Sequence, residues 1–102
     1  MREFKIGSRS VGNGHPVFIV AEMSANHAQD YDKACRIIEA AAAAGADAVK
    51  LQTYTADTLT IDCDKPYFSI GGESIWAGRK LYELYEEAHT PWEWQPLSLI
   101  HI

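Results

Sequence analysis

Cysteine is scarce in this sequence of 102 residues: Cys35 and Cys63 stand alone, with no C-x-x-C spacing. Two thiols cannot build a disulfide framework or a cysteine-rich metal site, and they read as reduced cytoplasmic cysteines. Long apolar runs are missing too. The longest clean one, residues 17–21, is far short of the roughly 18 residues that a membrane span requires. The amino terminus, Met1-Arg2-Glu3-Phe4-Lys5, interleaves charge with apolar residues and has no secretory h-region, so a cytoplasmic protein without membrane attachment is expected.

Positive charge is thin in the second half. Residues 1–52 carry six Lys or Arg and six Asp or Glu, whereas residues 53–102 carry three against eight, which accounts for the net charge of −5. A nucleic-acid partner is excluded on this ground, because binding to phosphate backbones draws on clustered Lys and Arg. Length is also short. A complete (β/α)8 barrel takes about 250 residues, so any signature of such an enzyme here belongs to a part of one.

What is present is an ordinary globular composition, 47% hydrophobic and 23% charged. Phe4-Lys5-Ile6, a turn through Gly7-Ser8-Arg9 and a return through Ser10-Val11-Gly12 read as a short hairpin. Residues 16–21 are continuously apolar, which suits a strand buried on both faces of a parallel sheet, and the run stops at Glu22. Asp30 then suits a helix N-cap, with Asp32 in the first turn. Ala34, Ile37, Ile38, Ala41 and Ala42 form an apolar stripe, and Gly45 is placed to end the helix. A second strand at residues 47–52 completes a βαβ unit, for which a right-handed crossover and a parallel sheet are expected.

Beyond this unit the pattern weakens until Leu81, Leu84, Tyr85 and Ala88 restore helical spacing. Thr90-Pro91-Trp92-Glu93 fits a capping box with proline at the first helical position. Pro96 leaves two alternatives: a helix from Pro91 that proline interrupts, or a later start that reduces the box to a turn.

Parallel α/β folds bind ligands at the carboxyl ends of their strands, where an apolar strand turns polar. Glu22, Lys50 and Gln52 occupy those positions, with Lys50 and Gln52 on one strand face. An ammonium there must pair with a carboxylate such as Glu22, bind an anionic ligand or sit in water. Asn26 and His27, in the first strand-to-helix loop, are further candidates, although a loop histidine is more often solvated or supporting than a ligand. His15 and His89 have no partner at metal-ligand spacing. The aromatics of the second half, Trp76 and Tyr82 among them, suit packing better than sugar stacking.

Several separated blocks together resemble the sialic acid synthase family: Phe18-Ile19-Val20-Ala21-Glu22, Ser24-Ala25-Asn26-His27, the run from Ala43 to Tyr54, and the Phe4-Lys5-Ile6-Gly7 hairpin. Asp57-Thr58-Leu59-Thr60-Ile61-Asp62, Trp76-Ala77-Gly78, Leu81-Tyr82-Glu83-Leu84-Tyr85 and Thr90-Pro91-Trp92-Glu93-Trp94 are most similar to its pseudaminic acid synthase branch.

The resemblance implies an α/β fold: the amino-terminal part of a TIM barrel, incomplete here, with the hairpin at residues 1–15 and the first βα units at 16–96. Residues 97–102 depart from the family pattern and read as a non-native tail. The implied activity is condensation of phosphoenolpyruvate with an N-acylated hexosamine, of the 2,4-diacetamido-2,4,6-trideoxy-altrose type, to a nonulosonic acid plus phosphate. Sialic or legionaminic acid synthesis is the near alternative, and a small non-catalytic α/β binding module is the alternative of another class. Carried over by residue, Lys50 matches the lysine that binds phosphoenolpyruvate, Glu22 the acid that contacts the acceptor sugar, and Gln52 a substrate-site residue beside the metal-bound water. The resemblance also implies a divalent metal, manganese or magnesium, with ligands outside this sequence, and a homodimer of the complete protein. This stretch alone is expected to be inactive.

Overall fold

The computed structural model describes residues 2–100, of which the side chains of 98–100 are left aside. The chain opens with a hairpin of β1 (Phe4–Ile6) and β2 (Arg9–Val11), paired antiparallel with Phe4 opposite Val11 and Ile6 opposite Arg9. Gly7, at φ +59°, supplies the left-handed residue of the two-residue turn. The return strand therefore starts at Arg9, one residue earlier than the sequence suggests, because glycine at the first turn position lets the turn close in two residues.

The βαβ unit follows, as β3 (Val20–Glu22), α1 (Tyr31–Ala43) and β4 (Ala48–Lys50). β3 and β4 pair in parallel, Val20 with Ala48, Ala21 with Val49 and Glu22 with Lys50. Asp30 caps α1 by accepting the Lys33 N–H at 3.1 Å, and Gly45 leaves the helix at φ +91°. Both strands are shorter than their apolar runs. Only residues with a facing strand form a ladder: residues 16–18 have no backbone partner among those described, and Ile19 reaches the backbone at the start of β4 only through its carbonyl, which accepts the Asp47 and Ala48 N–H groups at 2.8 and 3.2 Å.

The core sits where α1 covers the sheet. Ala34, Cys35 and Ile38 are buried on the helix and Met23 just beyond β3. Cys35, on the Ala42 side of the apolar stripe but two turns earlier, is buried although the stripe did not include it. Ala42 instead borders an open groove of about 210 Å3 with Ile38, Ala46 and Val49. On the opposite sheet face Val20 is more than half exposed, and Val17 and Ile19, in the run ahead of β3, are more than half exposed as well. The radius of gyration, 16.9 Å, accordingly exceeds the about 13 Å typical of a compact domain of 100 residues.

The second half contains α2 (Ala56–Leu59), a 3-10 turn at Pro66–Phe68, α3 (Leu81–Ala88) and α4 (Trp94–Ile100). α2 escapes the periodicity because four residues give no stripe. It is started by Thr58, whose hydroxyl accepts the Thr55 N–H at 3.1 Å and donates to the Thr55 carbonyl at 2.8 Å. α4 begins at Trp94, so the Thr90 box is a turn and Pro96 falls in the first helical turn, where its missing N–H leaves no intrahelical bond unmade. The helix runs through residues 97–100 of the segment that the sequence set apart, and 101–102 lie outside the described residues.

Candidate functional site

Glu22 and Lys50 are register partners at the carboxyl ends of adjacent strands, which sets their side chains side by side on the open face. Lys50 Nζ donates to Glu22 Oε1 at 3.3 Å, and Gln52 Nε2 donates to the same oxygen at 2.5 Å. All three predicted residues therefore converge on one carboxylate oxygen. The pair is accessible, with the Lys50 side chain 60% and the Glu22 side chain 46% exposed.

The Gln52 amide, followed by Lys50, holds the Glu22 carboxyl below its ordinary range, so Glu22 is an anion at neutral pH. A loosely held cation, an anion and an amide at a sheet end can receive an anionic ligand at Lys50 and hydroxyl donors at Glu22.

The loop after β3 is tightly tied. Asn26 Nδ2 donates to the Met23 carbonyl at 2.9 Å. His27 is fully buried: its Nδ1 accepts the Gln29 N–H at 3.0 Å, so the neutral ring carries its proton on Nε2, which lies 3.3 Å from Thr90 Oγ1. Burial, with the nearby charges of His89 and Lys33, pushes the His27 pKa down and keeps the ring neutral. Its edge also meets Trp94, with 5.2 Å between ring centroids. With both nitrogens engaged, His27 anchors the loop to the segment before α4.

Gln29 and Thr90 are the residues that sequence reasoning missed. The Gln29 amide donates to the carbonyls of Glu87 and His89, at 2.8 and 2.6 Å, and so caps the carboxyl end of α3. Thr90 donates its N–H to the Gln52 carbonyl at 2.7 Å and is itself buried. Together these bonds fasten the loop after β3, the end of α3 and the end of β4. Both contacts join residues about 40 to 60 positions apart in sequence, and no local pattern could reveal them.

No group of three or more His, Cys, Asp or Glu converges among the described residues. Glu22, the one acid of the trio, faces a cation and an amide donor, a set that does not fit a metal ion. No step is therefore derived through one. No helix among the described residues is long and apolar enough to cross a membrane.

Comparison with known proteins assigns the chain. The model of the NeuB family matches residues 37–99. The chain belongs to the NeuB family. It is 59% identical over 78 residues to a pseudaminic acid synthase of Campylobacter jejuni, covering 76% of this chain and 22% of that protein. To the pseudaminic acid synthase of Helicobacter pylori it is 48% identical over 79 residues, covering 78% of this chain and 23% of the relative.

A solved structure, the spore coat polysaccharide biosynthesis protein SpsE of Bacillus subtilis, superposes with a TM-score of 0.65 at 33% identity, covering 98% of this chain and 24% of that one. The chain thus spans under a quarter of the length of these relatives. The family match reaches into the segment after Pro96. These relatives are sugar-acid or polysaccharide biosynthesis proteins of the family that the sequence blocks resembled.

Proposed function

We propose that the whole protein to which this chain belongs is a pseudaminic acid synthase, condensing phosphoenolpyruvate with a 2,4-diacetamido-2,4,6-trideoxy hexose. The observation that carries this reading is the Glu22–Lys50 register pair, completed by Gln52, at the open strand ends. The pseudaminic acid synthases among its relatives support the choice of acceptor.

In this reading β3 and β4 are the first two strands of a TIM barrel, and the bare face of Val20 and Ala48 turns toward its interior. Lys50 exchanges its weak bond to Glu22 for the phosphate or carboxylate of phosphoenolpyruvate. Glu22, ionised and held through one oxygen by Gln52, accepts from acceptor hydroxyls. C3 of phosphoenolpyruvate then forms the new bond to the sugar aldehyde carbon, the aldehyde oxygen takes a proton, water adds at C2 and phosphate leaves. The family's divalent metal and its ligands come from the remainder of the protein, which works in the cytoplasm as a homodimer, and residues 1–102 alone are inactive.

The test is phosphate release by the purified whole protein supplied with phosphoenolpyruvate and a panel of N-acylated hexosamines. Release with the diacetamido altrose sugar is expected. Preferential turnover of N-acetylmannosamine would overturn the pseudaminic reading in favour of sialic acid synthesis, and no release with any acceptor would overturn condensation itself.

A further inference from the structure

His27 and Thr90 are fully buried polar side chains, so neither reaches a ligand at the open strand ends, and they bond to each other through Nε2 and Oγ1 at 3.3 Å. A polar pair shut away from water persists only where its bonds repay the desolvation. Each member also holds one side of the candidate site. His27 lies in the loop that leaves Glu22, and Thr90 donates its N–H to the Gln52 carbonyl at 2.7 Å.

The Gln52 amide on Glu22 Oε1 then closes a ring: from Glu22 along the chain to His27, across to Thr90, across to Gln52 and back to Glu22. The start of α4 doubles this bracket. Trp94 meets the His27 ring at 5.2 Å, and the Gln95 amide donates to the hydroxyl of Thr53, next to Gln52.

The loop after β3 does not take its course for its own stability. Ser24, Ala28 and Gln29 lie at φ +52°, +50° and +60°, a region costly for any residue with a Cβ. Gln29 is kept there by its N–H on His27 Nδ1 and by its amide on the Glu87 and His89 carbonyls. Strain that the surroundings hold in place, beside a candidate site, points to a path selected for where it puts His27.

Lys50 is set by other means. It pairs with Glu22 in the β3–β4 ladder, and its carbonyl accepts the Met23 N–H at 3.2 Å. Gln52 lies beyond the ladder, where its main chain is held by Thr90. We infer that Thr90, fixed by His27, is a positioning residue for Gln52: it sets the amide that holds Glu22 Oε1, and so governs the Glu22 side of the site and not the Lys50 side. The inference rests on the proposed condensation for its two substrates, and adds to it a pair of residues that no ligand touches.

The test uses the whole protein with Thr90→Val, which keeps the N–H and the shape but removes the hydroxyl that His27 holds. The acceptor KM is expected to rise roughly three- to tenfold with the KM for phosphoenolpyruvate held within about twofold, and Thr90→Ser is expected to keep both near wild type. In a Gln52→Ala background Thr90→Val should raise the acceptor KM no further, because its effect passes through that side chain. Equal rises for both substrates, an unchanged acceptor KM, or a full effect without the Gln52 side chain overturns the assignment while leaving the condensation standing. His27→Asn, which keeps an acceptor for the Gln29 N–H but is too short to reach Thr90, carries the same expectations should Thr90→Val fail to fold.

A readout free of turnover separates the two readings: the carbon-13 titration of the Glu22 carboxyl, assigned with Glu22→Gln. The Gln52 amide is the main cause that holds this carboxyl low. Thr90→Val or His27→Asn is expected to move the titration up toward the ordinary glutamate range, and Thr90→Ser to leave it in place. If the wild-type protein turned over no acceptor, the condensation reading would fall by itself. The upward movement would still support the role of Thr90, and an unmoved titration would overturn it.

Discussion

The two ends of the β3–β4 sheet each carry an ion pair, and the pairs are built differently. At the entry end, Asp47 meets Arg9 of the hairpin at 2.6 Å, and its other oxygen accepts the Ile19 N–H at 2.9 Å; the aspartate side chain is only 11% exposed. At the exit end, Lys50 and Glu22 meet at 3.3 Å with about half of each side chain in water. A well-covered carboxylate with two committed oxygens fastens three segments of chain. A loose, solvated pair contributes little to stability and can exchange partners when a ligand arrives. Equivalent charges thus serve as a fastening at one end of the sheet and as a receiving group at the other.

The sharpest way to break this contrast is Lys50→Ala in the whole protein. Losing a charge-assisted contact is expected to weaken phosphoenolpyruvate binding roughly 10- to 100-fold, with the melting temperature nearly unchanged. A fall in melting temperature with binding intact would make Lys50 structural. Asp47→Ala is expected to do the reverse, costing about 1–2 kcal/mol of stability in denaturant titrations by freeing Arg9 and the Ile19 N–H, with substrate affinity retained in the folded fraction.

The smallest effect concerns pH, through His27. Its pKa is lowered in the fold, so the unfolded chain binds more protons in acid. Stability is therefore expected to be complete above about 6.5, the ordinary histidine value, and to decline as pH falls below it. Melts of wild type and His27→Gln across that range check this: the variant should lose part of the slope, and identical slopes would remove His27 as its source.

Much of the first half was legible in the sequence, for local reasons. Asp30 and Gly45 bound α1 through interactions within a few residues, and the apolar run ending at Glu22 marked the strand end that matters. The convergence of Glu22, Lys50 and Gln52 followed from strand periodicity once β3 and β4 were taken as neighbours.

The second half was less legible. Thr90 carries a local capping signal, yet its hydroxyl faces His27, 63 residues away, and the helix waits until Trp94. In α1, Ala42 fits the helical stripe but borders a groove at the open end of the helix, and Cys35, outside the stripe as read, is buried. At Thr90 a long-range contact decides between two locally reasonable outcomes.

The measurement that reaches the central claim most directly is calorimetric titration of phosphoenolpyruvate into the whole protein as wild type, Lys50→Ala and Asp47→Ala. The account predicts affinity lost in Lys50→Ala and kept in Asp47→Ala. Equal affinity in wild type and Lys50→Ala would contradict it.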